Sequence, residues 1–271
     1  MYKMIVSDFD GTLVDLEDHI SPSTVAIIDK LRKHGYQFVI STGRCLKSIS
    51  YYNRDYKFID YIASCNGAYI YDAMKKKCIY KKPILISNVK KIINKYKDSH
   101  IIYVIDHEMW HLLSKKSAYE EEFDVVKEEN YLSFLNQNKT NIYKMEIYFK
   151  TIREAKKGIK EIQDMNLKVN TNLQTNQEHY MIEVTHKDVN KLEGIKKILR
   201  QEKLKLENVI SFGDGYNDME LIKNSGLGIV PENAVEEIKE VADFVTLDYN
   251  HKGVEHYLRQ NEEFLLSQIS E

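Results

Sequence analysis

Three prolines and three cysteines are all that 271 residues contain, and each scarcity removes a class of protein. Without a proline-rich or low-complexity tract there is no stiff linker between modules, and no internal repeat marks a solenoid. Cys45, Cys65 and Cys78 are odd in number and lack metal-ligand spacing, which argues against a disulfide scaffold and a structural zinc site. Long apolar spans are also missing, and the chain opens Met-Tyr-Lys directly on a strand-like run with no signal-peptide pattern. The expected compartment is the cytoplasm. Neither charge dominates: 39 basic against 41 acidic side chains leave a formal charge of -2, well interspersed, so no dedicated nucleic-acid surface is expected. The tightest basic cluster, Lys75-Lys76-Lys77, sits between Asp72 and Cys78 and reads as a solvated hairpin turn.

What is present is apolar material for real cores, at 43% hydrophobic residues, enough for one large domain or two modest ones. It is concentrated first in residues 4–12, MIVSDFDGT, where a short apolar run stops at two carboxylates one residue apart, then a glycine and a hydroxyl. Such a run reads as a buried strand of a parallel sheet, and open α/β sheets bind ligands beyond the carboxyl ends of their strands. Asp8 and Asp10 stand at that edge. Carboxylates so close repel unless a cation lies between them or one keeps a proton, which points to a hard metal, an acid/base pair, or both. An Asp- and Gly-rich turn uses the same residues, so this stretch alone decides little.

Two further stretches repeat the grammar. Residues 209–218, VISFGDGYND, end a strand in a glycine turn with Asp214, Asn217 and Asp218. Residues 38–44, FVISTGR, end another in Thr42, Gly43 and Arg44. Together with Lys191, these motifs (DxDGT, STGR, a lysine, GDGxND) resemble the haloacid dehalogenase (HAD) superfamily of phosphohydrolases in order, spacing and strand context. The turn Asn66-Gly67-Ala68 is similar to a recurring feature of its Cof-like, class IIB branch.

Taken in order, Ser21 and Pro22 supply an N-cap and first-turn proline for a helix whose apolar stripe, Val25, Ile28 and Leu31, runs until Gly35. It is a crossover helix to the strand at 38–40, while the mixed segment 14–20 reads as a flap over the site. Residues 59–64 form the next strand, and 68–71 with 78–81 a hairpin. From 83 to 186 the pattern changes. A helix at 87–96, strands at 101–105 and 109–113, a charged stretch, a strand at 142–149, a Lys-rich helix at 152–165 and strands at 167–169 and 180–184 carry no acid-ended motif, and read as a separate α+β unit. The polar segments 136–141 and 172–179 read as loops. A helix then opens near Lys191, with Leu192, Ile195, Ile198 and Leu199 on its apolar face. After a strand at 226–230, Pro231-Glu232-Asn233-Ala234 reads as a helix start, and a final helix begins at Gly253.

The fold expected is therefore α/β, a Rossmann-like parallel-sheet core (1–82 and 187–271) interrupted by an inserted α+β domain (83–186). Its position resembles the C2 type B cap of Cof-like enzymes. By the same resemblance, Asp8 is the nucleophile and Asp10 the acid and base. Mg²⁺ is held by the Asp8 carboxylate, the Asp10 carbonyl and Asp214, with Asp218 in support. The phosphoryl oxygens are held by the Phe9 amide, Thr42, the Gly43 amide, Lys191 and Asn217. The implied activity is hydrolysis of small phosphorylated metabolites, such as sugar phosphates or phosphorylated cofactors, through an aspartyl-phosphate. Phosphomutase-type transfer and a non-catalytic, phosphate-responsive regulator remain as alternatives. Arg44 is open between a core salt bridge and substrate contact. Cys45, beside it, is open between a reactive thiol and a buried one. In the cap, His107, Trp110 and His111 read as packing and surface residues.

Overall fold

β1 (Met4–Ser7) lies in the middle of an eight-stranded sheet because every one of its residues is buried, Ile5 toward one face and Met4 and Val6 toward the other. The computed structural model describes residues 1–14, 19–50, 57–108, 110–112, 125–127, 131–136, 141–175 and 180–268. β1 pairs in parallel with β2 (Gln37–Ser41) and with β12 (Val209–Phe212). The sheet runs β14-β13-β12-β1-β2-β3-β4-β5, where β3 is Tyr61–Ser64, β4 Tyr69–Asp72, β5 Lys77–Lys81, β13 Leu227–Pro231 and β14 Phe244–Thr246. β4 pairs antiparallel with both β3 and β5, and the remaining pairs are parallel. The chain leaves β1 on one side through β2 and returns on the other through β12, so the strand order reverses there. That reversal opens a crevice at the carboxyl ends of β1 and β12.

Helices cover both faces. α1 (Pro22–Lys33) starts where the sequence places it: Ser21 Oγ accepts from the Thr24 N–H at 3.1 Å, and Pro22 loses no hydrogen bond in the first turn. Its buried stripe, including Val25, Ile28 and Leu31, packs with Ile5, Phe38, Ile40 and Ile210. Truncating the fully buried Ile28 to alanine should cost about 2–5 kcal/mol.

A second sheet, β10-β11-β9-β6-β7-β8, draws only on the middle of the chain. Its strands are β6 (Ile101–Ile105), β7 (Trp110–Leu112), β8 (Val125–Lys127), β9 (Lys144–Phe149), β10 (Val169–Thr175) and β11 (Tyr180–His186). α2 (Ile86–Tyr96) and α4 (Ile152–Asp164) cover one face, on which Val89, Ile93, Ile102, Val104, Met145, Ile147 and Ile182 share a core; α3 (Tyr131–Asn136) lies between β8 and β9 in the chain. The alternate residues, Lys144, Glu146 and Glu183 among them, lie on the opposite face. The architecture is thus a Rossmann-like core with an α+β cap.

Several expectations shift. Residues 172–175, expected as loop, belong to β10: Asn172 pairs with Glu183 and Thr175 with Tyr180, while Val169 and Leu173 pack on the cap core. The expected strand at 167–169 is therefore the start of a longer one. Pro231 ends β13 instead of opening a helix. A turn anchored by Asn233, which donates to the Gly11 carbonyl at 2.9 Å, intervenes before α7 (Glu236–Lys239). Strand β8 and helix α3 arise within and after the stretch read only as charged. The flap at 15–18, the ends of the 109–113 strand and the loops at 137–140 and 176–179 lie outside the described residues.

Candidate active site

Each core motif follows a strand whose burial fixes its last residue. The Asp8 amide donates to the Phe212 carbonyl at 2.9 Å, which locks the end of β1 to the end of β12 and sets Asp8 beside the turn carrying Asp214 and Asp218. Carboxylate oxygens of Asp8, Asp214 and Asp218 all lie within 4.8 Å of one another. Thr12 Oγ1 donates to Asp214 Oδ1 at 3.2 Å, and the Gly215 amide to Asp218 Oδ2 at 3.3 Å.

Lys191 opens α5 (Lys191–Glu202), where Asn190 caps the helix by accepting from the Glu193 amide at 2.8 Å. Its buried ammonium reaches Asp8 Oδ1 and Asp218 Oδ1 at 2.7 Å each. The helix can come this close because Gly194, one turn on, meets Gly67 (φ 87) backbone to backbone; a Cβ on Gly194 would stand 2.7 Å from the Gly67 Cα. One ammonium does not balance three carboxylates. Burial, with the neighbouring Asp218 charge also contributing, pushes Asp8 up to about 6 against the opposing pull of Lys191. Burial and then the Asp8 and Asp218 charges push Asp214 up to about 8. Burial works against the charge on Lys191, but Asp218 and Asp8 override it and hold its pKa above the ordinary lysine value. This oxygen-only, under-neutralised cluster fits a hard divalent cation such as Mg²⁺.

Asp10 faces elsewhere. Its half-exposed carboxylate is gripped by Arg44, whose Nε lies 3.0 Å from each oxygen and whose Nη2 makes a shorter bond to Oδ1. The guanidinium also lies over the Phe9 ring, 5.0 Å from its centroid. Arg44 thus makes a salt bridge, and to Asp10 itself. Thr42 is fully buried, its amide bonded to the Ala63 carbonyl and its Oγ1 accepting from the Arg44 amide at 3.1 Å. Asn217 Nδ2 donates to Asn66 Oδ1 at 3.2 Å.

Comparison with known proteins gives the family. The profile of the haloacid dehalogenase-like hydrolases matches residues 5–258. The chain belongs to that family. Among the HAD relatives, the putative phosphatase YkrA of Bacillus subtilis (strain 168) is 26% identical over 276 residues, covering 95% of this chain and 97% of its own. The 5-amino-6-(5-phospho-D-ribitylamino)uracil phosphatase YitU of the same organism is 24% identical over 95% of this chain and 96% of its own. A HAD-like hydrolase of B. subtilis of known structure superposes with a TM-score of 0.84 at 18% identity, covering 95% of this chain and 99% of that one, and so shares the fold.

Asp8, Asp214, Asp218 and Lys191 come together as the motifs suggest while Asp10 turns to Arg44, but two cap-facing contributors were not legible. Glu183 and Lys144 are bonded to each other, and nothing local in the sequence marks them; Asn66, marked in the sequence only as part of a turn, bonds both Glu183 and Asn217. Cys45 is buried, and burial pushes its thiol up, so it is not the reactive thiol held open above.

Proposed function

We propose that this HAD-family hydrolase is a Mg²⁺-dependent phosphomonoesterase acting on small phosphorylated metabolites. The observation that carries the reading is the Lys191 ammonium held between Asp8 and Asp218 at the switch point of the sheet, with Asp214 alongside. An α/β crevice that gathers three carboxylates and one cation suits a phosphoryl group, which needs a nucleophile, charge neutralisation and little else.

In this mechanism Asp8 attacks phosphorus in line, and the phosphorus–oxygen bond to the leaving alcohol breaks as the aspartyl-phosphate forms. Asp10 gives the departing alkoxide its proton, then takes one from the water that attacks the intermediate, which returns Asp8 and releases inorganic phosphate. Lys191, Thr42, Asn217 and the Phe9 and Gly43 amides hold the phosphoryl oxygens. The carboxylates of Asp8, Asp214 and Asp218 and the Asp10 carbonyl would hold Mg²⁺, which when bound neutralises charge between carboxylate and phosphoryl oxygens.

Residues 1–82 and 187–271 form the catalytic core in this reading and 83–186 the cap, which selects the leaving group. The name of YitU, a phosphatase of a ribityl phosphate, supports a metabolite of that size. The proposed compartment is the cytoplasm, supported by three free cysteines; no helix among the described residues is long and apolar enough to cross a membrane.

The test is a panel of phosphomonoesters with Mg²⁺, read by phosphate release from wild type and Asp8→Asn. Turnover by wild type and a loss on the order of 10³-fold or more in the variant are expected. A wild type that is phosphorylated on Asp8 but never turns over would replace the enzyme by a regulator.

A further inference from the structure

Asn66 is out of place for an ordinary turn residue. It sits at φ 56 and ψ 34 in the short 3₁₀ turn Cys65–Gly67, a left-handed conformation that asparagine tolerates, and it is buried. Its amide donates to the Thr42 carbonyl at 2.8 Å, which fixes it to the loop that follows β2. Its carboxamide is spent at both ends: Oδ1 accepts from Asn217 Nδ2 at 3.2 Å, and Nδ2 donates to Glu183 Oε2 on the cap sheet at 2.8 Å.

The cap side of that bond is an ionic cluster. Glu183 and Glu146 stand directly opposite each other across β11 and β9, an arrangement that repels. The Lys144 ammonium bridges them, 2.8 Å from Glu183 Oε1 and 2.6 Å from Glu146 Oε1. All three side chains are buried. The cluster sits directly on the catalytic loops: a Cβ on Gly43 would come within 3.0 Å of Glu183 Oε1 and 3.3 Å of Lys144 Nζ. Gln174, which donates to Glu183 Oε2 at 3.3 Å, has its Oε1 3.8 Å from where a Cβ on Gly215 would be. The charged row of the cap therefore lies against the Gly43 loop, and its neighbour Gln174 against the Gly215 loop, the two loops assigned to the phosphoryl group.

An amide has a sense, and here one carboxylate sets the sense of two. Glu183 accepts only, so Asn66 must turn its NH₂ toward the cap and its oxygen toward Asn217. Asn217 must then answer with its own NH₂, and the second hydrogen of that group remains for a phosphoryl oxygen. With the cap sheet lifted away, nothing at Asn66 Nδ2 enforces this order. Both amides are then free to reverse, and Asn217 would present an acceptor to an anion. We propose that Asn66 is a positioning residue that couples cap seating to phosphate binding through the relay Glu183, Asn66, Asn217. The proposal rests on the phosphohydrolase reading above.

The experiment is a double-mutant cycle with inorganic phosphate as the probe, in buffer containing Mg²⁺, using Asn66→Gly, Glu183→Ala and the double variant. Glycine keeps the left-handed backbone, and Asn66→Ala, which also removes the carboxamide without adding a charge, replaces it if the glycine variant does not fold. Phosphate affinity is measured by calorimetry and as the product inhibition constant, with folding checked by thermal unfolding. Each single change should weaken phosphate roughly tenfold and raise KM more than it lowers kcat, and the double variant should be no worse than the poorer single one. Folded single variants that bind phosphate like wild type, or effects that simply multiply in the double variant, overturn the relay. A wild type that neither binds phosphate nor releases it from esters defeats the phosphohydrolase reading as well, so the two failures are told apart by the wild-type result.

Discussion

The Lys191 ammonium stands 2.7 Å from Asp8 Oδ1, and both groups are buried. Removing one member of a buried ion pair leaves the other uncompensated, at a cost of roughly 3–5 kcal/mol. Lys191→Met should therefore lower the unfolding midpoint in metal-free buffer. It should also gain more from added Mg²⁺ than wild type does, because the cation takes over part of the neutralisation. The expected fall in kcat/KM is about 10²–10³-fold, as for loss of one oxyanion donor. Thermal unfolding with and without Mg²⁺ checks the first part, and an unchanged midpoint in metal-free buffer would contradict it.

Metal dependence is tested at Asp214. In wild type, Mg²⁺ should raise the unfolding midpoint and excess EDTA should abolish turnover; Asp214→Ala should blunt both responses. Full activity in thoroughly chelated enzyme would remove the metal from the mechanism.

Arg44 grips Asp10, the proposed acid. Proton donation matters most when the leaving group is a poor one, so Arg44→Ala should slow alkyl phosphates by about 10²-fold or more and 4-nitrophenyl phosphate far less. The measurement is the slope of log kcat/KM against leaving-group pKa for both enzymes. Parallel slopes would assign Arg44 a role unrelated to Asp10.

Acid stability has a separate source. Glu255 on α8 (Gly253–Gln260) accepts from Ser21, Ser23 and Thr24 and pairs with Arg259 at 2.7 Å. Burial opposes its charge, but Arg259 and the three hydroxyls override it and hold the carboxyl down at about 2, against an ordinary value of 4.5. A depressed folded pKa stabilises the native state above pH 4.5, and that contribution is lost as pH falls from about 4.5 to about 2. Glu255→Gln should thus unfold earlier than wild type at neutral pH, with the two curves converging toward pH 2. Curves that keep a constant separation across that window would refute the assignment.

The sheet and the acid cluster were legible because buried parallel strands announce themselves as short apolar runs, and the chemistry sits at their ends. Ser21 and Pro22 show the same economy at a helix start, where cap and first turn are local. The misreadings share a different cause. In β10 the polar half of the alternation, Asn170, Asn172 and Gln174, looks like loop until the strand is paired with β11. Glu183 and Lys144 are charged residues on strands whose burial against the core loops no local pattern foretells; Glu183 meets Asn66, 117 residues away, and both it and Lys144 lie against Gly43. Asp10 is two residues from Asp8, yet one is buried and the other turned outward to a partner that only the β2 loop supplies. Pro231 misled because its suitability for a helix start is the same rigidity that lets it close a strand.

The backbone contact between Gly67 and Gly194 sets a tolerance for the whole catalytic assembly. Neither glycine carries a reactive group, yet a single methyl on Gly194 must lift the first turn of α5 and draw Lys191 away from its two carboxylates. In a library of random variants selected for loss of activity, Gly194→Ala should surface beside changes at Asp8 and Lys191, and suppressors that recover it should shorten side chains under α5 rather than alter any charged residue.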